Sequence, residues 1–159
     1  GLPDGDAAAD FYLYAVQQLE AAGYRQYEIS NFARPGHEGR HNLLYWNCSD
    51  YWGVGPAAHS CVGNVRRFWP DDVQGFIAGT VAEQREGDCT SEDYLLMQLR
   101  LVSGLNIPAY ECRGGRFTAA QRAFMRQCVG HGYAVWDGEV FRLTPAGMVV
   151  QNAILEELM

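Results

Sequence analysis

The side chains with chemistry to offer lie mainly in the first half of the chain. His37 and His41 stand four residues apart, a spacing at which two imidazoles on one helix can share a metal. Pro35, Gly36 and Gly39 argue against a helix there, and no carboxylate triad is evident. His41 reads differently beside its aromatic neighbours. In His41-Asn42-Leu43-Leu44-Tyr45-Trp46 an imidazole lies close to two flat aromatic rings. That combination suits a planar macrocycle with an axial nitrogen ligand. It equally suits a packed, hydrogen-bonded histidine in an aromatic cluster, and both readings stay open on spacing alone.

A second group is Gly53-Val54-Gly55-Pro56-Ala57-Ala58-His59-Ser60. Glycines flanking a sharp turn let backbone approach a ligand closely. Ligands of parallel sheets and barrels bind at the carboxyl ends of strands, where such a turn would lie. The run is not G-x-G-x-x-G, so a purely structural turn fits it as well. Arg113, Arg116, Arg122 and Arg126 gather late in the chain, the last two on one helix face. A helix that reads DNA can look like this. Acidic neighbours Glu111, Asp137 and Glu139 favour a solvated face or an intramolecular contact surface instead. No P-loop, serine elbow or paired-carboxylate signature is present.

Charge and cysteine usage narrow the classes. The 159 residues carry a formal charge of −7, and every basic residue is Arg. Residues 1–88 hold six Arg against twelve acids, and residues 89–159 six against seven. Neither part has the basic excess that neutralising phosphates requires, so a nucleic-acid partner is not expected. The five cysteines (Cys48, Cys61, Cys89, Cys112, Cys128) contain no C-x2-C pair. They read as reduced, structural thiols rather than as a disulfide framework or a metal centre. Gly1 in place of an initiator Met reads as a piece of a longer protein. No leader or membrane span is recognised, so a cytoplasmic protein is expected.

Helix 7–22, capped by Asp6 and ended by Gly23, leads to a strand at 24–29 with Tyr27 and Ile29 on one face. Helix, short link and strand make half of a βα repeat. A turn-rich stretch covers 30–40, and 41–46 is read as a short strand or turn. Strands are expected at 51–54 and 65–69, with a short helix at 71–79. After the polar stretch 82–88, Ser91 begins a helix, Pro108 a short turn or helix, and Thr118 caps a third. Asp137-Gly138 joins 132–136 to 140–143 as a tight hairpin. Thr144 caps a final helix, 145–158, with Pro145 at its favoured first position. This order suggests a winged-helix-like module at 89–159. Residues 1–88 read as the last part of a larger α/β sheet.

The run Ala21-Ala22-Gly23-Tyr24-Arg25-Gln26-Tyr27-Glu28-Ile29-Ser30-Asn31-Phe32-Ala33-Arg34-Pro35-Gly36-His37-Glu38 is followed by H-N-x-x-Y-W at 41–46 and G-x-G-P-x-A-H-S at 53–60. With the tail, these stretches resemble, in this order, the HemW and oxygen-independent coproporphyrinogen III oxidase (HemN-like) family of radical S-adenosylmethionine proteins. The resemblance implies an α/β fold: the last part of a partial radical-SAM βα barrel at 1–88, then a small α+β winged-helix-like HemN-type domain at 89–159. It implies a four-iron–four-sulfur cluster and S-adenosylmethionine in the parent protein, with the cluster ligands outside this chain, because no three cysteines here follow C-x3-C-x2-C. The chain alone is then not catalytic.

Within the family, the HemW branch implies a heme chaperone and the HemN branch a radical decarboxylase of coproporphyrinogen III. H-N-x-x-Y-W points to the chaperone branch, with His41, Tyr45 and Trp46 as heme contacts. Gly53, Gly55 and His59 correspond to the S-adenosylmethionine cavity. The oxidase branch has an apolar residue at the position of His59, which speaks against a second cofactor molecule here. The partners implied are heme or porphyrin, the amino-terminal radical-SAM half of the parent, recipient hemoproteins, membrane contact through a recipient, and a homodimer. A winged-helix regulator is the rival from another class.

Overall fold

The computed structural model describes residues 4–159. Helix α1 (Gly5–Ala21) starts at Asp4, whose carboxylate accepts from the Ala7 N–H at 2.8 Å. Asp6, expected as the cap, lies in the first turn, where the helix dipole still favours its charge. Strands β1 (Arg25–Glu28) and β2 (Asn31–Ala33) pair antiparallel. The expected face of β1 is reversed: Gln26 and Glu28 are buried, whereas Tyr27 and Ile29 are only half-buried. The reversal is tolerated because Gln26 is hydrogen-bonded and Glu28 is ion-paired with Arg100. Gln26 Nε2 donates to Tyr12 Oη at 2.6 Å and to the Ile29 carbonyl at 3.0 Å.

Residues 41–46 are helical, not a strand or turn. Helix α2 (Arg40–Trp46) begins at Gly39 without a side-chain cap. Aromatic content favours strands, but contacts from outside the segment, Gln98 to the Trp46 carbonyl and Arg100 over the Trp46 ring, outweigh it here. Of the strand expected at 51–54, only Tyr51 pairs, with Cys61. Strands β3 (His59–Val62) and β4 (Val65–Phe68), helix α3 (Val73–Ala78) and strand β5 (Gln84–Asp88) follow. They form an antiparallel sheet in the order β3-β4-β5. The polar stretch 82–88 therefore contains a strand.

Next come α4 (Ser91–Gln98), β6 (Leu105–Asn106), α5 (Ile107–Cys112), α6 (Ala119–Gly130), β7 (Ala134–Trp136) and β8 (Val140–Leu143). The sheet order is β6-β8-β7, antiparallel throughout. The hairpin closes over residues 137–139 rather than two residues. Gly138 alone has positive φ there (103°), while Asp137 Oδ1 accepts from the N–H groups of Glu139 and Val140. The last helix is two: α7 (Pro145–Val149) and α8 (Gln151–Leu158) part at Val150, with φ −106° and ψ 19°. That bend accompanies the burial of Ile154, Leu155 and Leu158. Leu95, Leu99, Leu105, Met125 and Phe141 are fully buried at the centre of the core, with Tyr12, Ile29 and Cys48 packed against it. No described helix is long and apolar enough to cross a membrane.

Asp93 ties this half to the β3-β4-β5 sheet. Its carboxylate closes a capping box with Thr90 and receives Arg66 at 2.9 Å. Although burial opposes ionisation, the Thr90 and Arg66 contacts hold its pKa below the ordinary carboxylate value. A depressed folded pKa stabilises above the unfolded value and loses that contribution as pH falls through the folded one. Acid titration of stability below about pH 4 is thus expected to be shallower in Asp93→Asn than in the parent. Parallel acid slopes for the two proteins would refute the assignment.

Candidate functional site

Helix α2 is built to present one imidazole. Gly39 lets it start close to β1, since a Cβ there would lie 2.8 Å from Tyr27 Oη. One turn apart on its exposed side, Tyr45 Oη and His41 Nε2 meet at 2.6 Å, with ring centroids 4.7 Å apart and nearly perpendicular. Tyr45 packs in turn on Tyr51 at 4.3 Å. Burial, with lesser contributions from neighbours such as Cys61 and Tyr45, pushes the Tyr51 phenol up to about 12. His41 is exposed although its orientation is fixed.

The other end of α2 rests on a charge pair whose carboxylate is buried. Glu28 is completely buried and meets Arg100 Nη2 at 2.5 Å. The Arg100 guanidinium lies over the Trp46 ring, 4.5 Å from its centroid. Glu28 Oε2 also accepts from the Ser30 N–H (2.9 Å) and Asn31 Nδ2 (2.6 Å). Gln98 Nε2 donates to the Trp46 carbonyl at 2.8 Å and to Asn47 Oδ1 at 3.1 Å. Trp46 Nε1 is buried without a hydrogen-bond partner. Strand β1, the end of α4 and helix α2 are thereby locked together beneath His41 and Tyr45.

The residues of the second turn are placed less as one group. Gly53 is demanded by the fold itself: a Cβ there would come 2.2 Å from the His59 carbonyl oxygen. Its N–H donates to Ser60 Oγ at 3.1 Å, and Ser60 Oγ donates to Glu83 Oε1 at 3.0 Å. Gly55 takes φ 114° beside open space. His59 is exposed, with Nδ1 3.4 Å from Glu86 Oε2 and its ring stacked 5.8 Å from Phe68. The two groups are linked through Tyr51, which touches Tyr45 and pairs with Cys61.

His37 sits in a turn apart from α2, its N–H bonded to the Arg34 carbonyl. Among the described residues no group of three or more His, Cys, Asp or Glu is arranged to hold a metal ion. Three of the late arginines make intramolecular contacts. Arg113 covers the Tyr94 ring at 4.4 Å, Arg116 donates to the Glu111 and Gly115 carbonyls, and Arg122 pairs with Glu111 at 2.9 Å. Sequence reading missed Glu28, Gln98 and Arg100. The only local signal was a carboxylate alternating with Gln26 in a strand, and an arginine between Leu99 and Leu101.

No profile of a known protein family matches the chain. Individual relatives do. The chain is 33% identical over 166 residues to the heme chaperone HemW of Mycobacterium tuberculosis (strain ATCC 25618 / H37Rv), covering 99% of this chain and 40% of that protein. It is 31% identical over 163 residues to the heme chaperone HemW of Escherichia coli (strain K12), covering 98% and 43%. The chain thus spans about two-fifths of the length of these relatives. Among solved structures, coproporphyrinogen III oxidase (HemN) from Escherichia coli, described as a radical SAM enzyme, superposes with a TM-score of 0.67. That match has 19% identity and covers 99% of this chain and 42% of that one, so it speaks to the fold alone. Matched to these relatives over almost its whole length, the chain belongs to the HemW family.

Proposed function

We propose that the chain is the C-terminal portion of a HemW-like protein that binds heme and passes it to hemoproteins, with His41 as the contact to iron. The observation that carries this is an exposed imidazole whose orientation is nevertheless fixed by Tyr45 and by the Glu28–Arg100–Trp46 lock. When Nε2–H donates to Tyr45 Oη, Nδ1 keeps its lone pair for an axial bond. Helix α2 has no fully buried residue. Heme held on such a face keeps much of its surface in water, so release to a recipient costs little. A resident cofactor, by contrast, is usually enclosed by an apolar pocket.

The remaining assignments go with this reading. The succession α4-β6-α5-α6-β7-β8 supports a winged-helix-like module at 89–159, preceded by the end of a partial barrel at 1–88. The 4Fe-4S cluster and most of the S-adenosylmethionine site belong to the rest of the parent protein, since the cysteines here lack the cluster spacing. Gly53, Gly55 and His59 line its cofactor cavity in this reading, and the protein works in the cytoplasm. The alternative activity is radical decarboxylation of coproporphyrinogen III, favoured by the fold match alone.

Hemin titration of the full-length protein, followed at the Soret band, is expected to saturate at one heme per chain. His41→Ala is expected to weaken binding at least about tenfold, the loss of roughly 1.4 kcal/mol of axial bonding. Saturable binding with an unchanged Soret band in His41→Ala would remove His41 from the site. Absence of saturable binding would turn the assay to coproporphyrinogen decarboxylation.

A further inference from the structure

We infer that Cys48 and Cys89 are an oxidisable dithiol, a modification site at which a hydroperoxide closes a disulfide between the end of α2 and the β5–α4 junction. Three of the five cysteines, scattered in sequence, converge on one small cavity of about 50 Å3. Cys48, Cys61 and Cys89 line it together with Tyr51, Arg66 and Asp93. Each thiol comes from a segment pinned by its backbone. The Cys48 N–H donates to the Tyr45 carbonyl at 3.0 Å, and Cys61 exchanges both backbone bonds with Tyr51. The Cys89 N–H donates to the Asn64 carbonyl, and its own carbonyl accepts from Asn64 Nδ2, both at 2.9 Å.

Cys48 adopts φ 47°, a left-handed conformation unusual for a residue with a Cβ. Such strain persists only where its surroundings impose it, and it gathers at working sites. Here it accompanies the convergence of the Cys48 and Cys89 side chains on one small cavity. The Cys48 S–H stabilises a Cys89 thiolate, and Arg113 and Arg66 add positive charge, against opposition from burial and Asp93. The net effect pulls Cys89 down to about 7. Cys48 is pushed up, because its proton interacts favourably with Cys89, burial disfavours its charged form, and it would ionise beside that thiolate. A thiolate sharing a small cavity with a protonated thiol is the ground state of peroxide-driven disulfide formation. Cys61 is buried and its thiol is raised by that burial, so it is the bystander of the three.

In the reaction, the Cys89 thiolate sulfur attacks one peroxide oxygen, the S–O bond forms and the O–O bond breaks. The departing alkoxide or hydroxide takes a proton from water. The Cys48 sulfur then attacks the sulfenic sulfur; the S–S bond forms, and the thiol proton leaves with the hydroxyl as water. Two thiols lose two electrons in total, and the peroxide gains them.

The test uses the full-length protein, fully reduced and then exposed to equimolar hydrogen peroxide. Non-reducing peptide mapping by mass spectrometry is expected to find a Cys48–Cys89 cross-link two mass units lighter than the paired thiols. Cys112, which is exposed, and Cys128, buried in the core, are internal controls expected to remain free thiols, alkylated once the protein is denatured for mapping. At pH 7, Cys89 is expected to alkylate about tenfold faster in the parent than in Cys48→Ala, as its thiolate fraction falls. Cross-links to Cys61 or Cys112, sulfinic acid at Cys89 without a cross-link, or an unmodified pair would each overturn the assignment. Mapping the parent decides the matter even if a variant fails to fold. The cross-link is read without heme, so it stands or falls separately from the heme titration.

Discussion

Glu28→Ala is expected to cost about 3–5 kcal/mol of stability, the range for removing one partner of a buried ion pair. Glu28 is wholly buried and is the described carboxylate within ion-pair distance of Arg100. Its loss leaves the Arg100 guanidinium over the Trp46 ring without its carboxylate partner, and frees the Ser30 N–H and Asn31 amide as well. Arg100 is about one-third exposed, so water softens the penalty toward the lower end of the range. Urea unfolding followed by tryptophan fluorescence measures the difference. The double variant Glu28→Ala/Arg100→Met is expected to recover part of the loss, because no charge is then stranded. A single-variant loss below about 1 kcal/mol, the level of an exposed pair, would mean that Glu28 and Arg100 do not form the lock beneath α2.

Gly147→Ala is the second large effect. Gly147 lies in the first turn of α7, and its N–H donates to Thr144 Oγ1 at 3.1 Å. A Cβ there would fall 1.9 Å from the Tyr133 carbonyl oxygen, which already accepts from the Thr144 N–H. The nearest atoms are Tyr133 backbone and Leu143 Cβ, none of them the far end of a flexible side chain that could give way. Overpacking of this kind costs about 3 kcal/mol, or roughly 6–12 °C in Tm for a chain of this size. Gly138→Ala is the contrast: φ is 103°, but the site is open. It is expected to cost only about 1–2 kcal/mol, from the backbone conformation alone. Equal melting shifts for the two variants would show that the Tyr133 contact is not the cause.

The sequence alone carried much of the local architecture. Thr90, Thr118 and Thr144 each accept from a backbone N–H three residues on, so the starts of α4, α6 and α7 were legible from neighbouring residues. The hairpin around Gly138 was legible for the same reason. The ordered motifs at 21–38, 41–46 and 53–60 named the family that the relatives then supported.

Tertiary structure decided what those motifs become. Tyr45 and Trp46 favour a strand locally, yet 40–46 is helical because Gln98, 52 residues away, holds the Trp46 carbonyl and Arg100 covers its ring. The inward face of β1 is polar because Arg100 and Tyr12 supply partners that no local pattern contains. Cys48 and Cys89 come to line one cavity only once β3, β4 and β5 have paired and α4 has docked. Caps and turns act through groups a few residues apart and can be read along the chain. A buried charge is stable only with its distant partner in place, so its position belongs to the fold.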